Sequence, residues 1–246
     1  MLHLDQVNSD TKFNVFVDFD GTITTQDVGE AMFLKFGELE LVNNIIERWL
    51  KREISSFESW EQMCKSVNGF SLKIFHEFLD TIKIDLTFKN FVEHCEKNNI
   101  DIYVVSDGFD IYIKHILERE GLTKLKVFCN KMNIVGDKII PVFPYPDEEC
   151  KICANCKRNH IIDNSGDLEY NVYIGDGLSD TCPAQFCDLI FAKKSLLKFC
   201  EKNRITFSPF TNFNDVIDKL ALLKNKKRLK KRFQASLKRN EVYIQG

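Results

Sequence analysis

Apolar and polar positions follow two different rhythms along the chain. FNVFVDF from Phe13 to Phe19, IDIYVV from Ile100 to Val105, NVYIG from Asn171 to Gly175 and DLIFA from Asp188 are short runs rich in β-branched and aromatic residues. Such runs predict buried strands. Between the first two, from Asp27 to about Asp80, apolar residues recur every three or four positions in VGEAMFLKF, ELVNNIIERWL, SFESWEQMCKSV and LKIFHEFLDTI. That period predicts a block of helices. Further helices are predicted over Phe88–Lys97, Ile111–Glu120, Arg158–Asp163 and Leu196–Lys202. A last one is predicted from about Asn214 into the basic stretch that follows. VFCN, NIVGD and KIIPVF predict short strands with a Gly136-Asp137 turn. Strands alternating with helices predict an α/β fold, a Rossmann-like core with a parallel sheet plus an inserted helical cap. The core would hold residues 1–26 and 86–246, and the cap residues 27–85.

Composition narrows the function classes. Of 246 residues, 44% are hydrophobic and 28% charged, which excludes a disordered or collagen-like chain. No apolar run approaches the roughly 18 residues of a membrane span. The N-terminus, MLHLDQVNSDTK, lacks a basic patch followed by an apolar stretch, so no secretory signal is expected. Nine Cys, an odd number, point to reduced thiols and a cytoplasmic setting. The formal net charge is −2, yet Lys224 to Arg239 holds nine basic and no acidic residues, leaving −11 elsewhere. An acidic body of this kind is not expected to bind nucleic acid, and no membrane partner is expected. The basic stretch reads as a solvated helix face.

Three predicted strands end in polar clusters: Asp18-Phe19-Asp20-Gly21-Thr22, Ser106-Asp107-Gly108, and Gly175-Asp176-Gly177-Leu178-Ser179-Asp180. In a parallel sheet the C-terminal strand ends face one crevice. Carboxylates crowded there repel one another unless a cation lies between them, and hard oxygen ligands suit Mg²⁺. Glycines let backbone amides approach an anion closely. Carboxylates, amide-rich turns and a following Lys are the parts of a phosphoryl-transfer site.

FVDFDGTIT, from Phe16 to Thr24, resembles the nucleophile motif of the haloacid-dehalogenase superfamily. Ser106, Lys157 and the Asp176/Asp180 pair of GDGLSD fit its second, third and fourth motifs, in order. The likeness spans Phe13 to about Ile217. It is nearer to phosphoserine-phosphatase-like members. Among these it is nearest to the methionine-salvage phosphatases acting on 2-hydroxy-3-keto-5-methylthiopentenyl-1-phosphate, through DFDGTIT, Ser106–Phe109, Cys153-Ala154-Asn155-Cys156-Lys157 and Phe191-Ala192-Lys193. Phosphatases for phosphoethanolamine or phosphocholine share a similar layout. The resemblance implies a Mg²⁺-dependent phosphomonoesterase for a small phosphorylated metabolite. Asp18 would be the nucleophile and Asp20 the general acid and base. Ser106, the Gly108 amide and Lys157 would hold the phosphoryl oxygens. Mg²⁺ would be held by Asp18, Asp176 and the Asp20 carbonyl. Asp180 would stand close by, as a ligand through water or as a support for Lys157. Asp27 and Glu30 would meet the substrate or cap a helix. Asp107 departs from the Ser-Gly-Gly of many relatives and is expected to point outward, without a catalytic role.

Two alternatives use the same residues: a phosphotransferase passing the phosphoryl group to an alcohol, and a non-catalytic phospho-ligand-binding protein. The intact set of Asp18, Asp20, Lys157 and Asp176 speaks against the second. Cys150, Cys153 and Cys156 could bind zinc with Cys129 or His160. One compact run without a second pair favours instead reduced thiols in a tight loop that aims Lys157.

Overall fold

The computed structural model describes residues 6–7, 11–226 and 229–245. Most of the segment read for a secretory signal, and residues 227 and 228 of the basic stretch, lie outside them. The strands are β1 (Gln6–Val7), β2 (Phe13–Val17), β3 (Asp101–Phe109), β4 (Lys126–Val135), β5 (Lys138–Val142), β6 (Tyr170–Gly175), β7 (Leu189–Ala192), β8 (Ser208–Pro209) and β9 (Leu229–Lys230). β1 and β9 pair with each other. The other seven share one sheet in the order β5-β4-β3-β2-β6-β7-β8. β2 is buried along its whole length and lies between two parallel neighbours, with Val17 opposite Val104 of β3 and Ile174 of β6. A strand covered on both faces needs a continuous apolar run, which is why FNVFV does not alternate. β6, β7 and β8 are also parallel, whereas β4 and β5 form an antiparallel hairpin. This is the Rossmann-like α/β fold that the pattern predicts.

The chain divides into two units. Unit 1 contains the residues up to Asp18, Asp85–Val104, and those from Lys157 on. Its helices are α5 (Phe88–Lys97), α7 (Lys157–Asp163), α8 (Lys194–Lys202), α9 (Phe213–Lys224) and α10 (Phe233–Gln245). Phe213 of α9 packs 4.8 Å from Phe88 and 5.1 Å from Phe91, ring centre to ring centre. Unit 2 contains Phe19–Ile84 and Val105–Cys156. It carries α1 (Val28–Phe36), α2 (Leu39–Leu50), α3 (Ser56–Lys65), α4 (Leu72–Leu79) and α6 (Asp110–Arg119). Phe36 meets Phe70, Phe75 and Phe78 at 5.7–6.0 Å, so the numerous Phe residues are core mass here. Unit 2 includes nearly all of the expected cap segment 27–85, together with the residues from Phe19 and the segment from Val105 to Cys156. Among the described residues no helix is long and apolar enough to cross a membrane.

Three expectations change. VFCN and NIV belong to one ten-residue strand, β4, because β5 pairs back along it from Val135 to Lys131. α9 stops at Lys224 rather than continuing into the basic stretch, whose last part belongs to a separate helix, α10. Nor is that stretch only a solvated face. Arg232 donates to the carbonyls of Ala184, Gln185 and Cys187, and buried Arg239 pairs with Asp188 at 3.2 Å. These cations hold the chain around residues 184–188 by saturating loop carbonyls that have no ladder partner.

Asp188 is fully buried at its carboxylate, so Arg239→Met leaves a charge without its close partner. The expected loss is about 3–5 kcal/mol in urea unfolding. Adding Asp188→Asn should recover much of it. A loss under about 1 kcal/mol would mean that Arg232 alone neutralises Asp188.

Candidate active site

The site residues fall in two groups, one in each unit. In unit 1, Asp18 follows β2 directly and its amide donates to Ile174 O at 2.9 Å, continuing the ladder to β6. Its carboxylate is thus fixed at a strand end, and the residue is only 4% exposed. Lys157, the first residue of α7, places its ammonium 2.6 Å from Asp18 Oδ1 and 2.8 Å from Asp180 Oδ1, and donates to Ser179 Oγ at 3.2 Å. Burial, the largest single influence, pushes the Lys157 pKa down. Asp18 and Asp180 push it up and together prevail, so it is raised and the group stays an ammonium.

Asp180 is held from four directions. Oδ1 accepts from Lys157 and from the Tyr173 hydroxyl, and Oδ2 accepts from the amides of Asp176 and Gly177. Burial, then Asp180 and Asp18, push the Tyr173 pKa well up and keep it a donor. Asp176 is buried, and burial followed by the neighbouring Asp180 raises its pKa against the opposing pull of Lys194. Lys194 reaches Asp176 Oδ2 at 2.8 Å from a backbone at φ +47°, a conformation rare in non-glycine residues. Oxygens of Asp18, Asp176 and Asp180 lie within 4.8 Å of one another. Three buried carboxylates offering hard oxygen donors suit a small divalent cation.

In unit 2, Phe19–Ile23 makes a turn that Asp20 (ψ 118°) and Gly21 (φ +74°) break out of helical geometry. Thr24 ties it down, its hydroxyl accepting from the Gly21 amide. Asp20 Oδ1 accepts from the Val28 amide, and Oδ2 accepts from Ser106 Oγ at 3.1 Å and Tyr112 Oη at 2.9 Å. Ser106 Oγ in turn accepts from the Gly108 amide at 2.9 Å. A Cβ on Gly108 would fall 1.6 Å from Tyr112 Oη, so only glycine lets the phenol reach Asp20. Burial, then Asp20 and Asp27, hold the Tyr112 pKa well up, so its hydroxyl remains protonated.

A model of the family described as "Putative Phosphatase" matches residues 13–207. A 2-hydroxy-3-keto-5-methylthiopentenyl-1-phosphate phosphatase of Bacillus mycoides (strain KBAB4) is 32% identical over 209 residues, covering 84% of this chain and 94% of its own. The chain is a phosphatase of the haloacid-dehalogenase superfamily. Solved haloacid-dehalogenase structures show the same fold. A substrate-bound phosphoserine phosphatase has a TM-score of 0.66 at 18% identity, with 85% of this chain and 98% of that one covered. A probable phosphoserine phosphatase of Vibrio cholerae gives 0.67 at 18%, with 92% and 69% covered.

Within this haloacid-dehalogenase phosphatase, the structure groups Asp18, Lys157, Asp176 and Asp180, and separately Asp20, Ser106 and Gly108. Ser106 to Gly108 lie on β3, which runs on to Phe109 instead of ending at Ser106. Asp107 does not point away. Oδ2 accepts from Ser56 Oγ at 2.6 Å and Oδ1 from the Asn155 amide at 2.9 Å. Its acidic side chain therefore ties β3 to the start of α3 and to the loop before Lys157. Asp27 caps α1 by accepting from the Glu30 amide, while both side chains also line a small cavity. Cys150, Cys153 and Cys156 are not joined in disulfides. Among the described residues, Asp18, Asp176 and Asp180 are the set whose possible ligand atoms come together. Asn155 is what shapes that loop, its amide group donating to Ser106 O and Phe128 O. Tyr112, Tyr173 and Lys194 escape sequence reading because each acts on a carboxylate that only the fold brings to it. For Tyr112 the signal is its place four residues after Gly108, on the helix that follows β3.

Lys157→Met strips two buried carboxylates of their shared cation. Without added metal, the expected loss in chemical unfolding is about 3–5 kcal/mol. Lys157→Met with Asp180→Asn should be more stable than the single variant. Equal stability of the two would show that Asp180 does not depend on the ammonium.

Proposed function

We propose that this phosphatase is a Mg²⁺-dependent phosphomonoesterase that forms an aspartyl-phosphate on Asp18. Its proposed substrate is 2-hydroxy-3-keto-5-methylthiopentenyl-1-phosphate, the ester in the name of the Bacillus relative that spans nearly the whole matched length. The observation that carries the chemistry is the buried Asp18 carboxylate held by Lys157, which Asp180 fixes from the other side.

An Asp18 oxygen attacks phosphorus as the bond to the substrate oxygen breaks. Asp20, two residues further on, gives that oxygen its proton and later takes one from the water that attacks the aspartyl-phosphate, releasing inorganic phosphate. Its hydrogen bonds from Ser106 and Tyr112 support this role by fixing the carboxyl group. Lys157, Ser106 and the Gly108 amide supply positive charge and donors to the phosphoryl oxygens. Asp18, Asp176 and the Asp20 carbonyl would hold Mg²⁺, which supplies charge neutralisation to the phosphoryl group.

Asp18→Asn should keep the fold and lose at least about a thousandfold in turnover of an aryl phosphate. Near wild-type rates would remove Asp18 as nucleophile. For Asp20→Asn, the first step should slow far more with an alkyl phosphate than with nitrophenyl phosphate, whose leaving group needs no proton. Equal losses would leave Asp20 a structural role only. Exhaustive chelation should abolish turnover and Mg²⁺ restore it, and full activity in chelator would contradict metal dependence.

A further inference from the structure

Two arginines of unit 1 converge on one short turn. Pro183–Phe186 is a single 3₁₀ turn, and the carbonyls at the end of such a turn have few donors of their own. Arg232 Nε lies 2.9 Å from Cys187 O, and its Nη2 lies 2.9 Å from Ala184 O and 2.6 Å from Gln185 O. Arg239 Nη1 donates to Phe186 O, and its Nη2 pairs with Asp188. The four carbonyls from Ala184 to Cys187 therefore each accept from one of the two arginines. β9, paired with β1, fixes the chain just before Arg232, and α10 carries Arg239.

The same turn continues the loop that presents Asp176 and Asp180. The Ala184 amide donates to Asp180 O at 3.1 Å, and Gln185 Nε2 donates to Thr181 O at 2.8 Å. The turn also packs against α7, whose first residue is Lys157, and against α10. One element thus touches the loop that holds Asp180, the helix that begins with Lys157 and the two arginines. Both arginines lie beyond residues 13–207, the stretch that the family model matches, so this brace is a feature of the chain and not of that match.

We infer that Arg232, backed by Arg239, is a positioning residue for the reaction, acting through the 183–188 segment on Asp180 and so on the Lys157 ammonium. A guanidinium presents several donors in one plane, so one side chain holds three carbonyls that no backbone amide serves as well. With the turn released, Asp180 loses its backbone anchor at Ala184, and Lys157 loses the fixed carboxylate that orients it. A misplacement of about 1 Å at a group serving the phosphoryl oxygens is enough to cost about a hundredfold in rate. This inference rests on the proposed function, in which Asp18 attacks phosphorus beside Lys157.

The test is Arg232→Gln in the full chain, assayed well below its melting temperature. Turnover of nitrophenyl phosphate should fall about ten- to a hundredfold in kcat, with KM changed less than about twofold. Amide exchange followed by mass spectrometry should quicken over residues 176–180 while α5 of the same unit keeps its wild-type protection. In an Asp180→Asn background the same substitution should cost no further kcat. Arg232→Lys, which keeps the charge but spans fewer carbonyls, should show the same effects in weaker form and stands in where Arg232→Gln fails to fold. A lowered melting temperature with unchanged kcat and unchanged exchange over 176–180 would make the arginine merely structural and overturn the inference. An equal loss of kcat in both backgrounds would overturn it too, since the effect would not pass through Asp180. Near wild-type turnover in Asp18→Asn would instead remove the proposed chemistry, and the catalytic meaning of the brace with it.

Discussion

The buried ammonium of Lys157 is the contact on which the rest of unit 1 depends. Asp18 is forced into the interior because it extends a strand that is buried on both faces, and Asp180 is drawn there by two backbone amides and Tyr173. Two carboxylates in so dry a place repel each other strongly, and one cation between them turns the repulsion into attraction. The arrangement suits the role proposed for Asp18. A carboxylate steered by a fixed cation is presented in one orientation, and in the proposed reaction that cation would also serve a phosphoryl oxygen.

Unit 2 solves a related problem with neutral donors. Asp20 follows Asp18 by two residues, but the turn at Asp20 and Gly21 sends it among hydroxyl and amide donors. One carboxylate is thus matched with an ammonium and the other with Ser106 and Tyr112. That division suits a pair in which one member attacks and the other shuttles a proton. Gly108 enforces it, since any side chain there would occupy the place of the Tyr112 hydroxyl.

Much of this was legible in the sequence because strands and motifs coincide. A continuous apolar run closing on Asp18-Phe19-Asp20-Gly21 encodes both a central parallel strand and the residues at its end. α5 and β6 fall where periodicity places them for the same reason, strong local pattern in agreement with burial. The misread parts depend on long-range partners. β3 continues through Ser106 to Phe109 although its pattern turns polar, and Asp107 on it is held from Ser56 and Asn155, some fifty residues to either side. The basic stretch reads as solvated by composition, yet Arg232 and Arg239 turn inward because loop carbonyls and Asp188 need donors. Local pattern carries no record of either demand.

The central claim is that Asp18, steered by Lys157, takes the phosphoryl group. The most direct measurement mixes the enzyme with a phosphate ester, quenches in acid within the first turnover, and maps the phosphorylated peptide by mass spectrometry. The account predicts an acyl-phosphate, cleaved by hydroxylamine, on the peptide containing Asp18, and none in Asp18→Asn. Phosphorylation of a different residue, or rapid turnover with no phosphorylated enzyme at any quench time, would contradict it.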